Sequence, residues 1–149
     1  MSTGKNNQYE GVMNRFKNNG TDVEKYSEIR VSEYIYDMDL ALNAADLIIA
    51  RSGSSVSEMT ALGKAAVLIP SPFVAGNHQE HNARAVEKSG GAVVIPQDEL
   101  SLETLSKVVE GILEDEERLE KMSCGSKSIG ITDATDKIYN IMKELIADK

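Results

Sequence analysis

Cysteine and surplus positive charge are what this chain has least of. Cys124 is the single cysteine in 149 residues, so no disulfide framework exists and Cys124 reads as a free thiol outside the chemistry. Lysine and arginine total 16 against 24 aspartates and glutamates, a formal net charge of -8. That balance leaves no broad cationic surface for a phosphate backbone or anionic lipid, and nucleic acid is excluded as the expected partner. Long apolar runs are missing too. None approaches the roughly 18 residues of a membrane span, and none follows a basic segment as in a secretory signal. The expected location is the cytoplasm. Repeats, low-complexity tracts and interdomain linkers are also lacking, and the length suits one domain with a real core, so residues 1–149 read as a single domain.

What the chain does have is a passage from a buried apolar run through small residues into a helix start, Ala44 to Glu58, AADLIIARSGSSVSE. Such a turn presents free backbone N–H groups where a helix macrodipole favours a diphosphate, beside a carboxylate able to accept both hydroxyls of a ribose. The local chemistry suits a nucleotide.

Around this segment the pattern alternates. Tyr9, Val12, Met13 and Phe16 recur at helical spacing and predict a first helix ending near Asn18, Asn19 and Gly20. Ile29 to Ile35 has strand character, and Asp37 can cap a short helix running through Ala44. Leu47 to Ala50, Ala66 to Ile69 and Val93 to Ile95 are short apolar runs that read as buried strands. Between them lie helical stretches, Ser55 to Leu62 ended by Gly63, and Asn77 to Lys88 capped by Gly90. Pro70 and Pro72 mark a loop and Pro96 closes the last strand. Helices are predicted over Ser101 to Leu113, Glu116 to about Cys124, and Asp133 to Ala147, and these could pack as an appendage. Strands that are apolar throughout and alternate with helices predict an α/β fold, a doubly wound parallel sheet covered on both faces. Ligands bind such sheets at the carboxyl ends of the strands, where the loops after Ala50, Ile69 and Ile35 would converge.

The opening MSTGKNN passes almost directly into a helix, whereas a doubly wound unit normally opens on an apolar strand. The expectation is a fragment of a larger protein that lacks its first strands. A strand without its neighbour carries unpaired N–H and C=O groups, so self-association or rearrangement through an exposed sheet edge is expected.

Four segments carry a resemblance to a known family: YIYDM (Tyr34 to Met38), ADLIIARSG (Ala45 to Gly53), SEMTALGKAAVLIPSP (Ser57 to Pro72) and NHQEHNARAVEKSGGA (Asn77 to Ala92). They resemble the C-terminal half of the MurG family, bacterial glycosyltransferases that move N-acetylglucosamine from UDP-N-acetylglucosamine onto lipid I to make lipid II of peptidoglycan. A weaker likeness extends through most of the chain. The resemblance implies a two-domain GT-B architecture in which the C-terminal, Rossmann-like domain holds the donor and the N-terminal domain holds the lipid acceptor. Thr3-Gly4 resembles the Thr-Gly that follows the second strand of the donor domain, so roughly the first two strands and a glycine-rich donor loop would precede Met1. The family's catalytic base and membrane-docking surface lie in the other domain. No catalytic residue is therefore expected in this chain, which should be inactive alone, and full-length members work at the cytoplasmic face of the inner membrane.

Carried over residue by residue, the resemblance implies that the Ile35 backbone reads the uracil edge and that Arg51 lies near the donor diphosphate. Glu58 matches the carboxylate that accepts both ribose hydroxyls. Gly53, Ser54 and Ser55 match the phosphate-holding turn, although this chain has one residue fewer than usual between the arginine and the glutamate, and a serine where threonine is frequent. Which of the three holds the phosphate stays open. His78 and Gln79 match a pair, often both glutamine, that contacts the sugar hydroxyls. No cofactor and no metal are implied, since neither His78 nor His81 has a ligand cluster with suitable spacing. The residues alone also permit plainer readings. Ser55 with Glu58, and Asn77 with Glu80, have capping-box spacing, and Arg51 suits a solvated strand end. Two further functions fit the pattern: a UDP-N-acetylglucosamine 2-epimerase-like protein, and a standalone donor-binding subunit of a two-chain transferase.

Overall fold

The structure is a computed structural model that describes residues 1–3 and 8–147. The Gly4 of the Thr3-Gly4 match lies outside the described residues. The chain forms two units, Met1–Ala41 and Leu42–Lys149.

In the first unit α1 (Gln8–Asn18) turns Tyr9, Val12, Met13 and Phe16 inward as its half-buried face, as the spacing predicts. It ends where the Thr21 N–H donates to the Phe16 carbonyl and the Gly20 N–H to that of Lys17. The expected strand over Ile29 to Ile35 does not form. One parallel bridge, Ser2 to Ser32, takes its place, held by the Thr3 N–H on the Ser32 carbonyl at 2.9 Å and the Ser32 N–H on the Met1 carbonyl at 2.8 Å. A strand exists only as long as its ladder, and the described backbone alongside this segment is Met1–Thr3.

The next elements are α2 (Met38–Ala44), β1 (Leu47–Ala50), α3 (Ser55–Ala61), β2 (Ala65–Leu68), α4 (His78–Lys88) and β3 (Ala92–Val94), followed by α5 (Leu102–Leu113), α6 (Glu116–Ser128) and α7 (Ala134–Ala147). The sheet runs β1-β2-β3, all parallel, with Leu47 opposite Ala65 and Ala66 opposite Ala92. Side chains alternate between its faces. Ala66 and Leu68 pack with Met59, Ala83, Val86, Ala92 and Val94 beneath α3 and α4, while Ala65, Val67 and Ile69 pack with Ile95, Ile112 and Met122 beneath α5 and α6. Helices on both faces explain why these strands read as unbroken apolar runs. The expected bounds of β2 and β3 stand one residue late, because Ile69 and Ile95 continue the hydrogen bonding past the strand ends, on the Ala50 and Leu68 carbonyls.

Turns that reverse the chain after α3 and α4 need positive φ, and Gly63 (+65°) and Gly90 (+81°) supply it. Two expectations for the later helices are corrected. α5 and α6 are no appendage, since they bury the second face of the sheet. Moreover, α6 runs through Gly125 to Ser128 instead of stopping near Cys124, because Gly125 seats the helix backbone directly on the Ser89–Gly91 turn. Cys124 is free and exposed.

Candidate functional site

The carboxyl rim of the sheet is organised by hydrogen bonds between the loops that leave β1 and β2. Arg51, immediately after β1, donates from Nη1 to the Ile69 carbonyl at 3.0 Å and the Pro70 carbonyl at 3.5 Å. Its guanidinium thereby ties the end of β1 to the end of β2, and the rest of its fork of donors has no partner among the described residues. Ser52 is fully buried, and its hydroxyl donates to the Gln79 carbonyl at 2.7 Å while its own carbonyl accepts from Asn82 Nδ2 at 3.0 Å. Gln79 in turn accepts the Ser71 N–H on Oε1 at 2.8 Å. These contacts link the β1–α3 turn, the β2 loop and the first turn of α4.

Neither expected capping box is present. α3 starts at Ser55 with Ser54 as the preceding cap residue in helical geometry, so Ser55 already lies inside the helix and cannot pair with Glu58 as a box. Glu58 is exposed, and its carboxylate has no hydrogen-bond or ion-pair partner among the described residues. At α4 the cap residue Asn77 is left-handed (φ 50°) and makes no side-chain cap bond. Glu80 bonds Arg84 Nε at 2.7 Å instead, and Glu87 takes Arg84 Nη1 at 2.8 Å. Hydrogen bonds to Glu87 and then Glu80 raise the Arg84 pKa above its ordinary value.

The remaining expected residues fall as follows. Val56 and Ser57 donate their N–H groups to the Gly53 and Ser54 carbonyls, which leaves the N–H groups of Gly53, Ser54 and Ser55 as the turn's unbonded donors among the described residues. His78 is exposed, with Nδ1 3.0 Å from the Ala75 carbonyl. Gln79 spends its side-chain oxygen on Ser71, and its NH₂ has no hydrogen-bond partner among the described residues. The second unit thus brings Arg51, Gly53, Ser54, Ser55 and Glu58 to one rim with His78 and Gln79. Ile35 belongs to the first unit, half-buried in irregular backbone. Sequence reasoning missed Ser52, Ser71 and Asn82. The one signal was a serine placed where the apolar run gives way to glycine.

A cleft of about 450 Å³ opens beside this rim, lined by Pro70, Pro72, Phe73, Asn77, Glu80, Pro96, Gln97 and Asp98. It lies between the loops after β2 and β3, so it adjoins the His78–Gln79 turn but includes none of the expected residues. Among the described residues no group of three or more His, Cys, Asp or Glu is placed to hold a metal ion, and no helix is long and apolar enough to cross a membrane.

Parallel strands with helices on both faces, and loops converging at their carboxyl ends, define a Rossmann-like α/β domain of the kind found as the C-terminal half of GT-B glycosyltransferases. Residues 1–144 match a family described as glycosyltransferase family 28 C-terminal domain, and the chain belongs to that family. It is 44% identical over 143 residues to the UDP-N-acetylglucosamine–N-acetylmuramyl-(pentapeptide) pyrophosphoryl-undecaprenol N-acetylglucosamine transferase of Acetivibrio thermocellus, covering 95% of this chain and 37% of that protein. The enzyme of the same name from Halothermothrix orenii is 41% identical over 137 residues, covering 91% of this chain and again 37% of the relative. Among solved structures, MurG of Acinetobacter baumannii superposes with a TM-score of 0.71 at 30% identity, covering 78% of this chain and 35% of that one. The chain therefore spans a little over a third of the length of the curated relatives it matches.

Proposed function

We propose that this chain is the donor-binding part of a transferase that moves N-acetylglucosamine from UDP-N-acetylglucosamine to lipid I, giving lipid II in peptidoglycan synthesis at the cytoplasmic face of the membrane. The observation that carries the reading is the rim itself, where an exposed Glu58 and the Gly53 to Ser55 N–H groups, all unpartnered among the described residues, share one edge with His78 and Gln79. In this reading Glu58 accepts both ribose hydroxyls, the turn amides and Arg51 face the diphosphate, and Gln79 and His78 meet the sugar. The Ile35 backbone reads the uracil. Residues 1–149 act as one donor domain, and no residue in them performs the proton transfer.

The chemistry is a displacement at the anomeric carbon by the acceptor 4-hydroxyl, with inversion. Charge develops on the departing diphosphate, and donors fixed before the reaction are the most effective way to stabilise it. The acceptor, the base and the membrane contact belong to the portion of the relatives that this chain does not span, so the isolated chain binds donor without turning it over. Relatives at 41% and 44% identity that carry a transferase name support this reading over an epimerase.

Calorimetric titration with UDP-N-acetylglucosamine, UDP and UDP-glucose tests the reading. Glu58→Gln should weaken UDP about 10-fold or more, the worth of charge-assisted hydrogen bonds, and leave the melting temperature unchanged because Glu58 is exposed. Equal UDP affinity in the two proteins would remove Glu58 from the site.

A further inference from the structure

The donor reading leaves one feature of the rim without a task. Ser52 is not among the expected ligand-binding residues, yet it is fully buried and bonded through its hydroxyl to the Gln79 carbonyl and through its carbonyl to the Asn82 side chain. We infer that Ser52 is a positioning residue that sets where the Gln79 turn stands relative to the Gly53–Ser55 turn. The inference rests on the donor reading and deepens it.

Two covalently distant loops must be in register for one ligand to touch both. The phosphate-facing turn follows Ser52 directly in the chain, so its place is fixed by β1 whether or not the Ser52 hydroxyl is present. Gln79 lies on the far side of β2, at the end of a loop that leaves the sheet at Ile69 and returns as α4. Its first-turn backbone carbonyl is held by Ser52 at 2.7 Å and its side-chain oxygen by the Ser71 N–H at 2.8 Å, so both ends of the residue that carries the remaining NH₂ are fixed. Asn82, three residues further along α4, grips the Ser52 backbone at 3.0 Å and locks the same pair from the other direction. Removing the hydroxyl releases the sugar-facing turn while leaving the phosphate-facing turn attached to its strand. The consequence is selective: the increment in affinity that the sugar adds to UDP falls, and the affinity for UDP itself falls less.

The test is a double-mutant cycle on the full chain, titrated with UDP and with UDP-N-acetylglucosamine. Ser52→Ala is expected to cost about fivefold in UDP-N-acetylglucosamine affinity and less than about twofold in UDP, the size of one lost hydrogen bond expressed at the sugar alone. In a Gln79→Ala background the same substitution should cost nothing further, since Ser52 acts through Gln79. Equal losses for the two ligands, or the same loss with and without the Gln79 side chain, would overturn the inference. If the unaltered chain binds neither ligand, the donor reading fails by itself, and the positioning claim is then judged by hydrogen exchange at the Ser71 amide well below the unfolding temperature. Ser52→Ala should speed that exchange about tenfold or more through loss of the Gln79 turn's order, and unchanged exchange would refute it. Should Ser52→Ala fail to fold, Asn82→Ala breaks the other bond and is read by the same measurements.

Discussion

Two serines with the same burial have opposite energetic roles. Ser126 on α6 is as fully enclosed as Ser52, but its hydroxyl has no partner among the described residues, and the Gly91 backbone lies against its Cα and Cβ. A buried hydroxyl without a hydrogen bond costs about 1–3 kcal/mol, whereas a bonded one repays its desolvation. Ser126→Ala is therefore expected to stabilise the chain by about 1 kcal/mol, raising the midpoint of a thermal melt by about 2–4 °C. Ser52→Ala should lower it, because that substitution removes the hydrogen bond that ties the β1–α3 turn to the first turn of α4. A melt in which both substitutions moved the midpoint in the same direction would contradict this assignment. The difference was not legible in the sequence. Both serines sit in runs of small residues, RSGSS and SCGSKS, and only the third dimension says that one hydroxyl meets a carbonyl and the other meets no partner among the described residues.

At the scale of elements, α6 reaches its length through a contact that looks like a defect. Glycine in a helix interior weakens it by roughly 0.5–1 kcal/mol, yet α6 runs through Gly125 where the sequence predicts an end near Cys124. A Cβ at Gly125 would instead collide with the Ser89 carbonyl and stand 2.8 Å from the Gly90 carbonyl carbon, while a Cβ at Gly91 would stand 2.6 Å from Ser126 Cα. The two glycines let backbone meet backbone. Gly125→Ala is expected to destabilise by about 1–3 kcal/mol through this overpacking despite its better helix propensity. Gly11→Ala in α1, where nothing among the described residues lies within 4 Å of the added Cβ, should stabilise by about 0.5–1 kcal/mol. Urea titrations of the two variants read both signs, and a stabilising Gly125→Ala would show that α6 can move off the turn. The elements that the sequence did reveal are those whose signal is local: β1, β2 and β3 are apolar on both faces, and Gly63 and Gly90 end the helices before them. The two capping boxes that the spacing permits do not form, and the reason lies in the local geometry and side-chain partners. Glu80 has Arg84 within 2.7 Å, and the chain enters α3 one residue earlier than Ser55, so spacing that would favour a cap in an isolated peptide is used otherwise here. The Ile29 to Ile35 segment shows the converse, since strand character without a ladder gives one bridge.

For the molecule as a whole, the expectation that the sheet edge seeks a partner follows from β1. It pairs with β2 on one side and, among the described residues, with no strand on the other. Its Ile48 and Ala50 pack beneath α3 and α4, but Ile49, on the opposite face, is 49% exposed in the middle of an edge strand. Natural edge strands are usually short, charged or covered, and this one is short but carries no charge. α7 adds to the exposed apolar surface, with Ile138, Ile141, Met142 and Leu145 at helical spacing and each more than half exposed. A net charge of -8 opposes association at long range, and salt screens that repulsion while leaving the apolar contacts intact. The isolated chain is therefore expected to self-associate, more strongly at high ionic strength, and sedimentation velocity over a concentration series reads it directly. Ile49→Lys places a charge on the open face of β1 without touching its packed face, so it should shift the chain toward monomer if the edge is the contact. Association that persists unchanged in Ile49→Lys and vanishes in Leu145→Lys would move the contact from the sheet edge to α7. A monomer at every concentration and salt would show that neither surface is sticky enough to overcome the charge.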